Sequence, residues 1–575
     1  MVQRPVRSEV TNVLIIGAGA AGLRAALAAD AAGAEVMILG KRLKKDAHTV
    51  LAAGGINAAL GTVDPADCWE RHFADTLREG YGMSDPRVVE ILAREAPARV
   101  EELAAWGCPF ARLENGQLDQ RYFGAHTYRR TCYAGDWTGR AILHTLVDQV
   151  EKQNIQILEN QYIYSLLTEQ NQCFGALGFD LQSGQLTLYY ADAVILAAGG
   201  HTRLWRRSSS RRDENGGDSY ALALRAGAEV ADLEFVQFHP TGMVHPEEWE
   251  GTLVTEAVRG EGGRLFNAQG ERFMKRYDPE RMELSTRDRV ALANYTEIME
   301  GRGGPHGGVF LDVSHIGKET ILKKLPRMYR QFLDIQMLDI AKDPMEVAPT
   351  AHYSMGGIVV NPETHATSVQ ALFAVGEAAT GVHGANRLGG NSLAETVVFG
   401  KRVGEAAALY SRTLDKQLRS PEQVEKTIQV LQSHIQEGSE YARPLQRALR
   451  ETLWVCCGVI RNGKGLEEGL QRVEEIKKAA THLDVRPSSE GFQDLAHACD
   501  LQSSLLAAKV TLLGALARKE SRGAHQRSDY PHSDRAMDSH FVFHLDQGQL
   551  VFTSTPAQTI PPNLQDLEIQ KRLLE

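Results

Sequence analysis

Short apolar runs, each ending at glycine, recur along this chain. Val13–Ile16 runs into Gly17, Asp192–Ala198 into Gly199, and Ala371–Val375 into Gly376. Runs apolar at nearly every position suit parallel strands buried on both faces. A small-residue stretch from Leu23 to Ala31 predicts a helix after the first run, and Glu35 to Leu39 predicts the next strand. From about residue 420 the period becomes helical. Val424, Ile428, Leu431 and Ile435 fall on one face, and Leu445, Leu449, Leu453, Cys456 and Ile460 on another; these stripes read as helix-bundle core. Gly438 and Pro444 punctuate the first pair and Asn462-Gly463 stops the second. A last helix is predicted from Leu501 to Arg518, and alternation from Phe541 to Thr553 around Asp546-Gln547-Gly548 predicts a hairpin.

The first glycine segment, Gly17-Ala18-Gly19-Ala20-Ala21-Gly22, is a GxGxxG between a predicted strand and a predicted helix. In that setting the first glycine permits the tight turn, the second lets backbone approach a pyrophosphate, and the third lets helix pack on strand. The phosphates would sit at the helix N-terminus, where unpaired N–H groups and the dipole favour anions. An ordinary glycine-rich turn is the plainer alternative. After the second strand an NAD site would carry an acid for the adenosine ribose, but Gly40 and Lys41 stand there. One dinucleotide contacted from three strand-then-glycine segments so far apart implies a discontinuous FAD domain with a large insertion. The expected fold is therefore α/β: a Rossmann-like FAD-binding domain with an inserted α+β capping domain, then a C-terminal helical bundle and a short tail.

The chain has 575 residues, 43% hydrophobic and 24% charged, with a formal net charge of -10. That length accommodates several domains, and the composition excludes disorder, collagen-like repeats and a disulfide scaffold. Mild acidity without a long basic tract argues against nucleic acid as a partner. Glycine, at 53 residues, is in excess. The seven cysteines are scattered, and none forms a CxxC pair. They suit free thiols in a reducing compartment and cannot ligate a self-contained iron–sulfur cluster, so an electron carrier would have to sit on another chain. The N-terminus lacks the apolar stretch of a secretory signal, and Val13 to Ala29 is too short and too interrupted to span a membrane. The basic, serine-rich cluster Arg203, Arg206, Arg207, Arg211 and Arg212 reads as a solvated loop, with partner docking as the alternative. No metal site is expected.

Further segments carry a specific resemblance. They are Lys45-Asp46-Ala47-His48-Thr49 with Gly54-Gly55, Phe238-His239-Pro240-Thr241-Gly242, Thr255-Glu256-Ala257-Val258-Arg259-Gly260-Glu261-Gly262-Gly263 and Glu283-Leu284-Ser285-Thr286-Arg287-Asp288. His352-Tyr353-Ser354-Met355-Gly356-Gly357, His383-Gly384-Ala385-Asn386-Arg387-Leu388-Gly389-Gly390-Asn391-Ser392-Leu393 and Glu520-Ser521-Arg522-Gly523-Ala524-His525 follow in order. Together they span nearly the whole chain and resemble the flavoprotein subunits of succinate dehydrogenase and fumarate reductase. The resemblance implies FAD bound covalently through His48. It also implies a dicarboxylate held by His239 and Thr255 at one end and His352 and Arg387 at the other. Arginine suits that task because its planar fork matches a carboxylate bidentately.

In that family the proton step falls to the arginine matching Arg287, with Glu256 and Arg259 relaying protons. Arginine is normally always protonated. From the residues alone an Arg–Glu–Arg set reads equally as a structural ion-pair network. FAD contacts implied by matched motifs are Gly17, Gly19, Gly22, Lys41, His48, Gly55, Gly217, Asp218, Glu377, Ser392 and Leu393. Glu377 is expected to accept from a ribose or ribityl hydroxyl, partly answering the missing acid after Leu39. Two departures stand out: Ser219, where relatives usually show glycine after Asp218, and Ala53, where a polar residue is common.

The resulting plan places the FAD-binding domain at 1–235 and 351–415, the capping domain at 236–350, a helical domain at 416–530 and a tail at 531–575. The expected activity is oxidation of succinate to fumarate. Electrons would pass to an iron–sulfur subunit, then to quinone, with the protein cytoplasmic and held at a membrane indirectly through anchor subunits. Fumarate reduction in reverse, and a soluble L-aspartate oxidase-like flavoenzyme, are the alternatives.

Overall fold

The computed structural model describes residues 5–487 and 491–564. Strand Arg7–Ile16 lies between Val36–Leu39 and Leu186–Leu196, parallel to both. Gln156–Leu158 extends the sheet beyond Val36–Leu39, also in parallel. The long strand Leu186–Leu196 changes neighbour midway. Its first half pairs antiparallel with Gln172–Asp180, and its last three residues pair parallel with Leu372–Ala374. That switch admits the distant third glycine segment to the same sheet. The carboxyl ends of the first, second, long and last strands thus face one edge, where Gly17, Gly40, Ala197 and Val375 begin their turns. Crevices beyond the carboxyl ends of parallel strands are where α/β sheets bind ligands.

The predicted helix after Gly17 begins at Ala20, three residues earlier than its apolar pattern suggests, and it packs on helix Asn391–Thr413. Strands Val236–Met243, Met345–Ser354, Val309–Asp312 and Arg264–Phe266 form an antiparallel cap sheet. It has its own apolar core, which includes Val254, Leu265, Phe273 and Phe332. Helix Arg287–Glu297 lies against the cap strand Val236–Met243.

The C-terminal helices are Pro421–Ser433, Ala442–Cys456, Gly463–Ala479 and Gln493–Ala517. Ile435 and Ile460 fall beyond the helices their stripes suggested, and Ile460 starts a two-residue strand paired with Gln526–Arg527. The last helix begins well before Leu501 because Leu495, Ala496, Ala498 and Cys499 are buried too; a helix buried on most sides leaves no stripe to read. The tail hairpin, Ser539–Asp546 and Gln549–Pro556, is not a separate appendage. It joins Val230–Ala231 and Gly357–Ile358 in one sheet. Residues 565–575 of the expected tail lie outside the described residues.

The arginine cluster is a correction. Arg207 pairs with Glu250 at 2.5 Å and Arg211 with Asp46 at 2.9 Å, and both are half-buried. Through those two residues the segment braces the cap and the turn that carries His48, while Arg206 and Arg212 are exposed as a solvated loop would have them. All seven cysteines are free. Among the described residues no helix is long and apolar enough to cross a membrane.

Candidate active site

One cavity of about 260 Å³ runs from the sheet's carboxyl edge to the underside of the cap. Gly17, Gly19, Lys41, His48, Gly55, Asp218, Glu377, Ser392 and Leu393 line it together with His239, Thr255, Glu256, Arg287, His352 and Arg387. Three sequence-predicted residues, Gly22, Gly217 and Arg259, do not line it and act from behind. A Cβ on Gly22 would lie 2.0 Å from the carbonyl oxygen of Gly17, so this glycine permits the helix to close on the turn. Gly217 caps helix Asp218–Ala226 with φ +89°. Ser219 already lies inside that helix, so the departure from glycine there carries no backbone penalty.

The sheet end of the cavity fits a dinucleotide. Gly19 precedes helix Ala20–Ala31 without a side-chain cap of its own; the Ala20 N–H donates to Thr49 Oγ1 at 3.1 Å, and the next N–H groups of the first turn are left to an anion. Lys41 donates to Asp500 at 2.9 Å and lies 3.7 Å from Asp218, with its ammonium over the Tyr162 ring. Burial and the nearby Asp500 carboxylate, against the pull of Lys41, raise the Asp218 carboxyl to about 6. Asp218 Oδ1 is buried without a hydrogen-bond partner, and a ligand hydroxyl would satisfy it. Asp218 therefore stands where the acid missing after Leu39 is needed. Glu377 accepts from the Ser354 N–H at 3.1 Å and lies toward His48 and Arg387, on the side where the ribityl alternative rather than the ribose would place it.

His48 opens a short 3-10 turn, His48–Leu51, on the cavity wall. Its Nδ1 lies 3.3 Å from Glu214 Oε2. Burial alone would lower the imidazole's pKa, but the hydrogen bond and charge of Glu214 outweigh it and raise the value. In the neutral ring, Nδ1–H donates to Glu214 and the lone pair is left on Nε2. Ala53 is buried on the same wall.

At the cap end, His239 and His352 meet edge to face with centroids 5.1 Å apart. Strands Val236–Met243 and Met345–Ser354 place them, being paired so that His239 opposes Thr350. The Thr241 N–H donates to His239 Nδ1 at 3.2 Å, and Ser209 Oγ lies 2.8 Å from His352 Nδ1. Burial depresses both imidazoles well below their ordinary range, aided by Arg287 beside His239 and by His239 itself beside His352. Both rings are thus neutral hydrogen-bonding groups near pH 7, leaving the positive charge of the clamp to arginine. Thr255 is buried, and its Oγ1 accepts from the Ala257 N–H at 3.3 Å.

Arg387 donates to Ser392 Oγ at 2.8 Å and to Gln237 Oε1 at 3.0 Å, while its Nε is buried without a partner. Burial, and then the neighbouring Arg287 charge, lower it to about 9. Arg287 begins helix Arg287–Glu297 and donates through Nε to Glu256 at 2.7 Å and through Nη1 to the same Gln237 oxygen at 3.0 Å. Glu256 lies 3.6 Å from Arg259, which in turn donates to the Glu283 carbonyl at 2.6 Å. Burial would raise Glu256, but Arg287 and Arg259 hold it down at about 2. The predicted Arg–Glu–Arg set is therefore continuous in space, with both ends on one carboxylate.

Sequence reasoning missed Gln237, Glu214 and Ser209. Gln237 sits one position before the matched Phe238-His239 segment, on a strand buried at every position, so no alternation singled it out. His245, His306 and Glu346 also cluster, on the cap. Glu346 there accepts from the N–H groups of His306 and Gly308 and pairs with His306 Nδ1, which identifies it as a loop brace.

Comparison with known proteins agrees with this geometry. Residues 12–393 match the FAD binding domain family, and residues 446–559 match the fumarate reductase flavoprotein C-terminal family. A chain of the fumarate reductase (CoM/CoB) from Methanothermobacter marburgensis is 46% identical over 523 residues, 90% of this chain and 94% of that one. The succinate dehydrogenase flavoprotein subunit of Rickettsia bellii is 38% identical over 570 residues, covering 95% of each chain. Among solved structures, Mycobacterium smegmatis Sdh1 superposes with a TM-score of 0.89 at 38% identity, covering 99% of this chain and 98% of that one. This protein is thus an FAD-dependent oxidoreductase and belongs to the family of succinate dehydrogenase and fumarate reductase flavoprotein subunits.

Proposed function

We propose that this chain interconverts succinate and fumarate, and that as a succinate dehydrogenase flavoprotein subunit it passes the electrons to an iron–sulfur partner and onward to quinone. The observation that carries the reading is the cap end of the cavity. Two arginines converge on one amide oxygen, facing two neutral histidines, in a space that opens onto the dinucleotide end. A dicarboxylate supplies negative charge for the arginines and hydrogen-bond acceptors for the neutral histidines, and bidentate hydrogen bonding from Arg387 fixes its orientation. FAD, when bound, supplies the two-electron acceptor for the C–H bond.

The chain's own residues do the rest. His239 and Thr255 hold one carboxylate, and His352 and Arg387 hold the other. Arg287 exchanges the proton of the neighbouring carbon, with Glu256 and Arg259 conducting it away from the site. Closing the cap over the cavity excludes water and strengthens these interactions. His48 is the residue to carry a covalent flavin bond, through the Nε2 lone pair that Glu214 leaves free. With no cluster-binding cysteine grouping in the chain, the electrons leave for a separate subunit, which would also tether the protein to membrane anchors at the cytoplasmic face. Fumarate reduction is the second reading, favoured by the 46% identity to a fumarate reductase chain.

The test is succinate-dependent dye reduction by the purified protein, followed by denaturation. Activity with succinate but not aspartate, and flavin fluorescence that stays with the polypeptide, are expected; released flavin with aspartate oxidation would select the L-aspartate oxidase reading instead. A companion prediction concerns Glu214. Glu214→Ala removes the acceptor on Nδ1, and the rate at which flavin becomes resistant to release by denaturation is expected to fall at least about fivefold, a barrier change of roughly 1 kcal/mol. A rate equal to wild type would exclude this role.

A further inference from the structure

Behind the two arginines lies a buried amide relay that the reaction chemistry does not use. Gln237 Oε1 accepts from both Arg287 and Arg387 at 3.0 Å. Its Nε2 donates to Asn386 Oδ1 at 2.8 Å and to the Arg387 carbonyl at 2.9 Å. Asn386 Nδ2 in turn donates to Glu79 Oε2 and to Asp288 Oδ1, each at 3.0 Å. Tyr81 donates its hydroxyl to Asp288 Oδ2 at 2.8 Å. Glu79, Gln237 and Asn386 are each at most 3% exposed. An amide has one accepting and one donating end. Two carboxyl groups at the far end fix which way Asn386 faces, Asn386 fixes Gln237, and Gln237 presents its oxygen to both arginines.

We propose that Glu79, acting through Asn386 and Gln237, is a positioning residue that aims Arg287 and Arg387 at the dicarboxylate, and that it does so in its uncharged form. The inference rests on the dicarboxylate reading of the site. Glu79 closes helix Trp69–Glu79, where the carbonyl end of the helix disfavours negative charge. Asp288 faces it from the cap helix with a second carboxylate. Asp75, Arg78 and Arg281 are the other charged groups around it, and Tyr81 follows it in the chain. Burial and then the Asp288 charge raise the Glu79 carboxyl to about 8, against the pull of Arg78 and Arg281. On ionisation, two like charges would share one amide, and a new negative charge would stand behind both substrate arginines.

The experiment is calorimetric titration of the FAD-loaded protein with malonate, a dicarboxylate whose single methylene leaves no CH2–CH2 bond to desaturate, from pH 7 to pH 9. If only the uncharged Glu79 form binds, that group alone weakens the wild-type Kd about tenfold across that range, and with Arg387 the total is about twentyfold. Arg387, lowered to about 9, titrates in the same interval and accounts for only about twofold by pH 9. Glu79→Gln keeps an acceptor for Asn386 without an ionisable proton, so its Kd is expected to weaken by only that twofold. A tenfold weakening in Glu79→Gln, or a wild-type weakening of no more than about twofold, would overturn the proposal. Should Glu79→Gln fail to fold, Asn386→Leu cuts the same relay. That variant is expected to bind malonate more weakly at pH 7 and to keep only the twofold alkaline weakening from Arg387, and retention of the full dependence would count against the relay. Absence of malonate binding by wild type at pH 7 would instead remove the dicarboxylate reading itself.

Discussion

Arg287→Lys is expected to lower kcat for succinate oxidation by about 10²–10⁴, the usual contribution of a positioned proton-transfer group. Malonate affinity is expected to stay within about tenfold, since lysine keeps the charge. Arg287 makes two contacts in different directions, Nε to Glu256 and Nη1 to Gln237. A single ammonium on a flexible stem cannot reproduce that fork. The pairing with Glu256 is what would let an arginine serve here. The carboxylate, held at about 2, is ionised across the working pH range and stabilises the guanidinium cation that results once the proton is taken up. Dye-linked steady-state kinetics, with malonate binding measured in parallel, separate the two effects. A kcat within about threefold of wild type would return Arg287, Glu256 and Arg259 to the structural ion-pair reading.

Arg518→Met is expected to destabilise the fold by about 3–5 kcal/mol, read as a fall in the urea midpoint. Arg518 is fully buried and pairs with Glu234 at 2.7 Å, Asp232 at 3.2 Å and Glu520 at 3.4 Å. Removing the cation leaves three buried carboxylates close together: Arg522 still pairs with Glu520 and His540 with Asp232, but Glu234 loses its one ion-pair partner among the described residues. The effect would reach the active site, because the Glu520–His525 segment ends on it: the Ala524 N–H donates to the Ala385 carbonyl, two residues before Arg387. This explains why a segment so far along the chain belongs with the substrate motifs. A loss under about 1 kcal/mol would mean that the carboxylates had taken up protons or water without cost.

The strand–turn–helix around Gly17 was legible because its signals are local. An apolar run predicts a buried strand, and the glycines answer backbone demands within six residues. The tail hairpin was legible for the same reason. The last helix was cut short because burial on most sides erases periodicity, as at Leu495 and Ala498. Ile460 was assigned to a helix on spacing alone, whereas it pairs with Gln526. The arginine cluster from 203 to 212 carries no sign in its own composition that Glu250 and Asp46 neutralise it from other parts of the chain.

The FAD-binding turns, the resemblance that orders the substrate residues, and the lack of a cluster-binding cysteine set all follow from the order of residues alone. Each depends on neighbours in the chain or on motifs a few residues long. Folding in three dimensions decided the rest: burial leaves His239 and His352 neutral near pH 7, Asp218 lies beside Lys41 while Glu377 lies toward His48, and Glu79, Asn386 and Gln237 form one relay behind Arg287 and Arg387. Those properties arise from desolvation and from hydrogen bonds between residues hundreds of positions apart. A buried polar side chain has no period in the sequence, and its partners exist only once the cap and the sheet have come together.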